Sequence, residues 1–412
     1  MKRIVIIGGG AAGLMAACSA SFKYKDGGAK ITLLEKNTRP GRKLMITGKG
    51  RCNLCNNCGL DTLVANVPEN GRFLYSAFSG FGAQDVMTFF ESLGVPLKTE
   101  RGNRVFPVSD KAVDIVDALV KAAKCGGTET IHGTAKKILT ENGKVSGVLL
   151  ESGEALPADG VILATGGMSY PLTGSTGDGY KMAAELGHTV TEIKPSLTAL
   201  NAHEGFCEKL AGLSLKNVTL SVFEEGKKKP VFYELGEMLF THFGISGPLV
   251  LSASAHMRYI GKKQYTAVID LKPALTAEQL DKRILRDFDE EKNRNFINSL
   301  DKLLPKSLIP IIVKLSGIEP DRKVNSISKE QRASLCGLLK GLSLRITGTR
   351  PIDEAIITRG GISVKETDPK TMESKLISGL YFAGEIIDVD AYTGGFNLQI
   401  AFSTGFAAGS NI

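Results

Sequence analysis

The clearest hydrophobic pattern in the chain lies in its first 35 residues. Four consecutive apolar residues, Ile4–Ile7, predict a buried strand that runs directly into a glycine-rich turn. A helix of small residues is predicted from about Ala11 to Phe22, and a second buried strand, Ile31–Leu34, stops at Glu35. This order of strand, glycine turn, helix, strand and acid is typical of a dinucleotide-binding βαβ unit.

The glycines of this turn have the spacing G-x-G-x-x-G, at Gly8, Gly10 and Gly13. In that pattern the first glycine permits the tight turn, the second lets a pyrophosphate approach the backbone, and the third lets the helix pack closely on the sheet. The helix N-terminus attracts an anion. A carboxylate at Glu35 can accept hydrogen bonds from the ribose hydroxyls and would repel a 2′-phosphate, so FAD or NAD is favoured over NADP.

The pattern then predicts a helical stretch over 72–96 and a helix over about 109–125. A meander of strands follows, with Thr130–Ile138 and Val145–Glu151 as its first two members. It leads into a buried strand ending at Ala164, which we expect beside the first strand. Thr165 and Gly166 would then lie close to the dinucleotide.

The remaining pattern divides the chain into parts. Short strands over 196–271 predict a β-rich, barrel-like insert, and the period becomes helical from Thr276, where capping boxes begin at Thr276 and Ser328. Near the end, Gly384-Glu385 follows a strand, and a small-residue helix covers Ile400–Ala408. We therefore predict an α/β protein with a Rossmann-like FAD-binding domain at 1–194 plus 344–412, a β-rich insert at 195–275 and a helical subdomain at 276–343.

Composition changes this picture little. The 412 residues are 42% hydrophobic and 23% charged, and no apolar run is long enough to span a membrane. Without a targeting segment, we expect a cytoplasmic protein. The net charge of +8 favours anionic ligands, but no dense basic block stands out, since Lys227–Lys229 is interpreted as a hairpin tip. Nucleic acid is therefore a minor hypothesis, and membrane binding is not expected.

The seven cysteines are odd in number and spread along the chain, which favours free thiols. Cys52, Cys55 and Cys58 have the spacing C-x-x-C-x-x-C, which can ligate an iron–sulfur cluster or zinc, but both usually need a fourth ligand. No fourth ligand lies nearby, so we expect no metal.

Seven segments together resemble the BaiN-like (YhiN-like) family of NAD(P)/FAD-dependent oxidoreductases, which is distantly similar to fumarate-reductase-type flavoproteins. They are IVIIGGGAAGLMAA, LLEKNTRPGRKLMITGKGRCN, RVFPVSDKA, VILATGGMSYPLTGSTGDGY, GEMLFTHFGISGP, TRGGISVKET and GLYFAGEIIDVDAYTGGFNLQIAFSTG. The resemblance covers nearly the whole length and implies a discontinuous FAD domain interrupted by the insert. Many members carry Thr where this chain has Cys55, so the cysteine spacing looks incidental.

By motif match, the resemblance implies that Gly8, Gly10 and Gly13 face the diphosphate and Glu35 the ribose. Backbone atoms of Ala135 would contact adenine. The remaining expected cofactor contacts lie in the same segments, at Ala12, Lys36, Lys43, Arg51, Cys52, Asn53, Ala164, Thr165, Gly166, Gly384, Glu385, Gly395, Phe396, Asn397 and Leu398. Of these, Gly384, Glu385, Asn397 and Leu398 would hold the isoalloxazine end.

The expected activity is hydride transfer through flavin N5, to an activated C=C bond of an enone, oxo-steroid or oxo-bile-acid type. NAD(P)H would be a transient electron donor, because the chain has one dinucleotide fingerprint only. His242, Tyr170 and Tyr392 are candidate proton donors by their chemistry. Two alternatives stay open: a flavin-dependent amine oxidase, which some members of the family are named, and a non-catalytic or RNA-directed flavoprotein. The expected partner is a small-molecule substrate.

Overall fold

The two ends of the chain build one unit together, and the middle builds another. The computed structural model describes all 412 residues. The first unit consists of residues 1–196 and 351–412, and the second consists of residues 197–350.

The chain contains nineteen strands and thirteen α-helices. The strands are β1 Lys2–Ile7, β2 Ala29–Glu35, β3 Cys55–Asn56, β4 Leu97–Glu100, β5 Arg104–Pro107, β6 Glu129–His132, β7 Ala135–Glu141, β8 Lys144–Leu150, β9 Ala155–Pro157, β10 Gly160–Leu163, β11 Lys194–Ser196, β12 Leu200–Ala202, β13 Ser214–Glu224, β14 Phe232–Thr241, β15 Gly244–Ser246, β16 Tyr265–Asp270, β17 Leu342–Thr349, β18 Ile357–Arg359 and β19 Leu380–Phe382. The helices are α1 Ala11–Lys23, α2 Arg42–Ile46, α3 Leu60–Ala65, α4 Tyr75–Gly80, α5 Ala83–Ser92, α6 Ala112–Cys125, α7 Asp178–Glu185, α8 Phe206–Lys209, α9 Pro248–His256, α10 Ala277–Glu290, α11 Ile309–Ser316, α12 Lys329–Lys340 and α13 Phe396–Asn411.

A five-stranded sheet in the order β19-β10-β1-β2-β6 forms the centre of the first unit, and all its strands are parallel. Ile4–Ile7 are buried, as expected for a strand covered on both faces. The chain reaches β10 through the antiparallel meander β7-β8-β9. As predicted, β10 then pairs with β1. The predicted Rossmann-like fold is confirmed.

One strand prediction is wrong in detail. Thr130–Ile138 was expected to be a single strand, but Gly133 and Thr134 separate β6 from β7. The strand β6 pairs with β2 in the central sheet, whereas β7 pairs with β8 in the meander. The break lets consecutive residues join two different sheets.

Helices α1 and α13 pack against each other through small residues. A Cβ atom added at Gly405 would lie 2.4 Å from the Ala12 carbonyl oxygen, and one added at Gly409 would lie 2.4 Å from the Ala16 carbonyl oxygen. The Ser19 hydroxyl also bonds the Ser410 hydroxyl at 2.7 Å. The first and last helices of the chain are therefore in backbone contact.

The second unit contains a closed barrel with the strand order β12-β15-β14-β13-β16-β17. The barrel was predicted, but its closure by β17 was not: the predicted division placed residues from 344 onward in the FAD-binding domain. Helix α9 was not foreseen either, because its residues are mostly apolar or small and show no polar face. Helices α10 and α12 begin with the predicted capping boxes, at Thr276 and Ser328. No helix has the length and apolar character that crossing a membrane requires.

Candidate functional site

An open cleft of about 1370 Å³ lies within the first unit. Ile7, Leu34, Ala164 and Ala383 line it, and each lies at or just beyond the carboxyl end of a central strand. In parallel α/β sheets this is the edge where ligands bind.

The glycine turn after β1 forms one wall of the cleft, and its three glycines have three different surroundings. A Cβ atom at Gly8, where φ is +104°, would lie 2.5 Å from the Ala164 carbonyl oxygen, and one at Gly13 would lie 1.8 Å from the Gly8 carbonyl oxygen. A Cβ atom at Gly10 would meet nothing within 4 Å. Gly8 and Gly13 therefore serve the packing of the unit, whereas Gly10 leaves open space beside the first turn of α1.

No side chain caps the N-terminus of α1. The first N–H groups of a helix have no partner within the helix, and together with the helix dipole they favour an anion. A diphosphate fits this surface.

Glu35 lies buried in the lining of the cleft, at the end of β2. Its Oε2 accepts a hydrogen bond from the Gly9 N–H at 2.7 Å, and its Oε1 accepts from the backbone N–H and the side-chain amide of Asn37, both at 2.7 Å. A carboxylate offers about four acceptor positions, so these three bonds fix Glu35 and leave capacity for a hydroxyl donor.

Lys36 also lines the cleft and is held by two oxygens from the start of α7. Its ammonium donates to Asp178 Oδ2 and to Thr176 Oγ1, both at 2.6 Å. Burial opposes ionisation of Asp178, but hydrogen bonds from Lys36 and Thr176 outweigh it and hold the pKa of that carboxyl below its usual range. The charge of Lys36 is thus matched within the protein.

A second polar network lies where residues of α2, the segment after β10, β18 and the segment after β19 meet. Lys43 Nζ donates to Glu385 Oε2 and to Ser169 Oγ, both at 2.7 Å. Glu385 Oε1 accepts from the Thr358 N–H at 2.8 Å and from the Ser169 hydroxyl at 3.1 Å. Lys43 and Glu385 both line the cleft. Ser169 and Thr358 were given no role from the sequence, although both lie in the segments that carry the family resemblance.

Helix α13 begins at this end of the cleft, with Asn397 and Leu398 in the lining. It follows Gly395, where φ is +102° and an added Cβ would lie 2.3 Å from the Cys55 carbonyl oxygen. The N-terminus of α13 has no capping side chain. The Asn397 side chain bonds the backbone N–H and carbonyl of Ala391 instead, at 2.9 and 2.8 Å.

Two asparagines hold the turn that precedes α13. The Asn53 amide, in the orientation that satisfies its neighbours, bonds the Cys55 carbonyl at 3.1 Å and the Gly395 N–H at 3.0 Å. Asn56 Nδ2 donates to the carbonyls of Gly102 and Gly394, both at 3.0 Å. Asn56 is buried, and no sequence pattern indicated a role for it.

The lining also contains an unsatisfied polar atom. The Thr165 hydroxyl is buried and has no hydrogen-bond partner in the protein. Such groups are rare in folded proteins, because leaving one unbonded is costly. The hydroxyl packs against Gly179, where an added Cβ atom would lie 2.0 Å from the Thr165 oxygen.

The structure brings most of the predicted cofactor residues together in this lining. They are Gly8, Gly10, Ala12, Glu35, Lys36, Lys43, Ala135, Ala164, Thr165, Gly166, Gly384, Glu385, Asn397 and Leu398.

Six of the predicted residues do not line the cleft: Gly13, Arg51, Cys52, Asn53, Gly395 and Phe396. The Arg51 guanidinium is taken up by ion pairs with Glu100 and Asp110 and lies 4.2 Å from the centre of the Phe106 ring. Cys52 is fully buried, and burial raises the pKa of its thiol to about 12. Gly13, Asn53 and Gly395 make the packing and hydrogen-bond contacts described above, and Phe396 is buried.

The cysteine triplet is mostly internal. Cys52 and Cys55 are buried and Cys58 is half-buried. Burial raises the pKa of all three thiols. No group of three or more His, Cys, Asp or Glu side chains has the arrangement of a metal site.

The three candidate proton donors lie in different places. Tyr170 has φ of 53° and its carbonyl accepts from the Thr173 N–H and hydroxyl, so it begins a tight turn in the first unit. The Tyr392 N–H donates to the Asn66 carbonyl in the same unit. His242 is exposed at the turn between β14 and β15 of the second unit, with its ring 5.0 Å from that of Phe243.

The chain is similar to known proteins over nearly its whole length. The model of the HI0933-like protein Rossmann domain matches residues 2–411. The 3-dehydro-bile acid delta(4,6)-reductase of Clostridium scindens is 33% identical over 412 residues, which cover 99% of this chain and 98% of the relative. A protein of Haemophilus influenzae named ribosomal RNA dihydrouridine synthase is 31% identical, covering 99% of this chain and 98% of the relative.

Among solved structures, a variant of the FrdA chain of Escherichia coli quinol fumarate reductase superposes with a TM-score of 0.50. Its sequence identity is 17%, and the match covers 100% of this chain and 70% of that chain, so the likeness concerns the fold. The protein belongs to the HI0933-like family and is an FAD-dependent oxidoreductase.

Proposed function

We propose that this member of the HI0933-like family reduces a C=C bond conjugated to a carbonyl group, using a hydride delivered from FAD. Two relatives that match over almost the whole chain support this reaction. One is named a reductase of 3-dehydro-bile acids at delta(4,6). The other is named for dihydrouridine, which is uridine with a reduced ring C=C bond. Both names describe electron-poor double bonds next to a carbonyl, which accept a hydride readily.

We propose that FAD binds along the cleft, with separate residues for each of its parts. We propose that Gly10 and the uncapped start of α1 hold the diphosphate, that Glu35 holds the adenosine ribose, and that backbone atoms of Ala135 contact adenine. Lys43, Glu385, Gly384 and Leu398 would surround the isoalloxazine end. When bound, FAD supplies a two-electron carrier that donates hydride from N5.

The protein's own residues at that end control charge. The unsatisfied N–H groups at the start of α13 stabilise negative charge nearby. Glu385 and Ser169 hold the Lys43 ammonium in one position, so that a fixed cation faces the cleft. Asn53 and Asn56 act as positioning residues, because they fix the turn from which α13 starts.

A proton must also reach the carbon next to the carbonyl after hydride transfer. We propose His242, Tyr170 and Tyr392 as the candidates to test, through His242→Asn, Tyr170→Phe and Tyr392→Phe. Substituting the residue that donates the proton should leave flavin binding unchanged and slow substrate reduction at least tenfold. A variant with unchanged turnover removes that residue from the reaction.

NAD(P)H is the proposed donor of electrons, bound only transiently. Anaerobic mixing of the purified flavoprotein with NADH or NADPH should bleach the flavin, and a cyclic enone or 3-oxo-steroid should then restore the colour. No bleaching by either nucleotide would contradict the donor. Flavin that is reduced by amines and produces peroxide with oxygen would replace the proposal by the amine oxidase.

A pyrimidine ring of RNA is a second candidate for the reducible group. The observation that favours it is the charge of the second unit, which has 24 Lys and Arg residues against 17 Asp and Glu residues, a net +7. Incubating reduced protein with uridine-containing RNA and measuring dihydrouridine in the digested product distinguishes it from reduction of small enones.

A further inference from the structure

One end of the barrel gathers positive charge from two separate segments. The β13–β14 hairpin contributes Lys227, Lys228 and Lys229, and the segment between α9 and β16 contributes Lys262 and Lys263. The two segments are hydrogen-bonded side by side, since the Glu225 N–H donates to the Gln264 carbonyl at 2.9 Å. We call these five lysines the basic end of the barrel.

A buried carboxylate holds this end together. The Glu224 side chain is only 2% exposed, and it accepts from Lys263 Nζ at 2.5 Å, from Lys227 Nζ at 3.1 Å and from the Tyr265 hydroxyl at 3.2 Å. Glu224 therefore ties both segments to the barrel core. Two of the five lysines are thus paired with one internal carboxylate.

The other three lysines are free for a partner. Lys228, Lys229 and Lys262 are exposed and form no salt bridge. Glu225 lies beside them in the hairpin, and its Oε2 accepts from the Gln264 N–H at 3.3 Å. Glu234 and Glu237 lie further along the hairpin, on β14. Exposed lysine ammonium groups suit phosphate oxygens, because they bind as point charges without fixed geometry.

Exposed aromatic rings accompany the charge. Tyr259, in the second segment, is 51% exposed, and Lys263 Nζ lies 5.2 Å from its ring centre. Tyr233, at the start of β14, is 68% exposed. An aromatic face next to cations is the combination that binds single-stranded nucleic acid, because bases stack while the backbone is neutralised.

We infer that the basic end of the barrel docks single-stranded RNA, with Lys228, Lys229 and Lys262 on phosphates and Tyr259 stacked on a base. The sequence predicts a hairpin tip at Lys227–Lys229, and the structure adds the second basic segment and the tyrosine beside it. The field of the whole second unit, at net +7, would steer a polyanion toward this unit. The inference concerns binding and holds whether or not the proposed reduction does.

The test measures binding of a fluorescent single-stranded RNA to the full-length flavoprotein over a series of salt concentrations. We expect the triple variant Lys228→Gln, Lys229→Gln, Lys262→Gln to make the negative slope of log K against log salt shallower by about 2, because each lysine–phosphate pair contributes roughly −0.7 to that slope. Affinity at low salt should fall at least tenfold. Tyr259→Ala should weaken single-stranded RNA more than duplex RNA, because a duplex offers no unstacked base.

The matched control is Lys306→Gln, Lys314→Gln, Lys329→Gln, which removes the same charge from three exposed positions elsewhere on the second unit. It should keep the slope of the unmodified protein. Equal slopes for both triple variants, or binding to anionic phospholipid vesicles without binding to RNA, would overturn the inference. The first triple variant should keep its flavin absorbance, its melting temperature and its reduction of a small enone. A loss of RNA binding in that variant then comes from the surface and not from the fold or the reaction.

Discussion

Two helices of the first unit and two of the second begin in different ways. In the second unit, α10 and α12 start with a hydroxyl side chain that bonds a backbone N–H of the first turn, completed by a glutamine that reaches back. In the first unit, α1 and α13 start after glycines and have no capping side chain. Other helices also lack a capping side chain, but the starts of α1 and α13 line the cleft. Their first N–H groups are therefore available to a bound molecule, whereas α10 and α12 are complete without one.

The largest effect should come from breaking the helix start itself. In Gly13→Ala the new methyl would lie 1.8 Å from the Gly8 carbonyl oxygen, so α1 must move away from β1. We expect a loss of about 3 kcal/mol in the free energy of unfolding, measured by denaturant titration of the FAD-free protein.

Gly10→Ala is the matched control, since a methyl there meets no protein atom within 4 Å. It should leave the stability of the FAD-free protein unchanged and weaken FAD binding at least tenfold. Gly10→Ala protein that binds FAD normally would contradict the role given to the start of α1.

A smaller effect is expected at the other end of the cleft. Lys43→Met leaves the half-buried Glu385 carboxylate without its ammonium partner, which should cost about 2 kcal/mol of stability. The midpoint potential of the bound flavin should also fall, because a cation that favours the reduced, anionic form is removed. Lys36→Met removes the same charge beside Asp178. It should weaken FAD binding and leave the midpoint potential of the bound flavin unchanged. Equal shifts of the midpoint potential in both variants would show that the two ends of the cleft are not distinct.

The capped helices should respond more weakly still. Thr276→Ala or Ser328→Ala removes a side-chain oxygen that accepts from the first turn, at an expected cost of about 1 kcal/mol each. FAD affinity should not change in either variant.

Removing FAD from the unmodified protein should lower its melting temperature, since the ligand stabilises only the folded state. A cofactor-free form that melts at the same temperature would remove the contrast between the two kinds of helix start.

The smallest effect at neutral pH should come from one histidine in each unit. Desolvation, with a contribution from Arg258, lowers the pKa of His256 to about 4, and desolvation outweighs Glu366 in lowering the pKa of His188. Below pH 6.5, the pKa of histidine in the unfolded chain, the unfolded chain therefore binds protons that the folded chain does not. The free energy of unfolding consequently falls as pH falls from 6.5 toward 4. His256→Gln should flatten this acid limb, measured by denaturant titrations at several pH values, and no change in its slope would contradict the assignment.

Sequence alone predicted best what is specified locally. The strand Ile4–Ile7, the glycine spacing and the two capping boxes are short patterns whose structure depends on neighbouring residues. Small-residue character also predicted the final helix, although α13 begins at Phe396, ahead of the predicted Ile400. Glu35 could be placed at the end of its strand for the same reason, because the apolar run of β2 stops at that residue.

The rest depends on pairings between distant segments. Closure of the barrel brings β17 beside β12, about 140 residues earlier in the chain, and the predicted boundary at 344 cut through this strand. The network of Lys43, Ser169, Thr358 and Glu385 likewise joins four segments, and a lone serine or threonine carries no local sign of such a partner. The basic end of the barrel combines two loops that sequence order keeps more than thirty residues apart.

The backbone contact between α1 and α13 has a consequence for synthesis of the chain. Residues 197–350 are continuous and leave the ribosome together, whereas α1 packs against α13, which is translated last. We therefore expect ribosome-bound chains that stop before Phe396 to resist protease in the middle and to remain cleavable near the start.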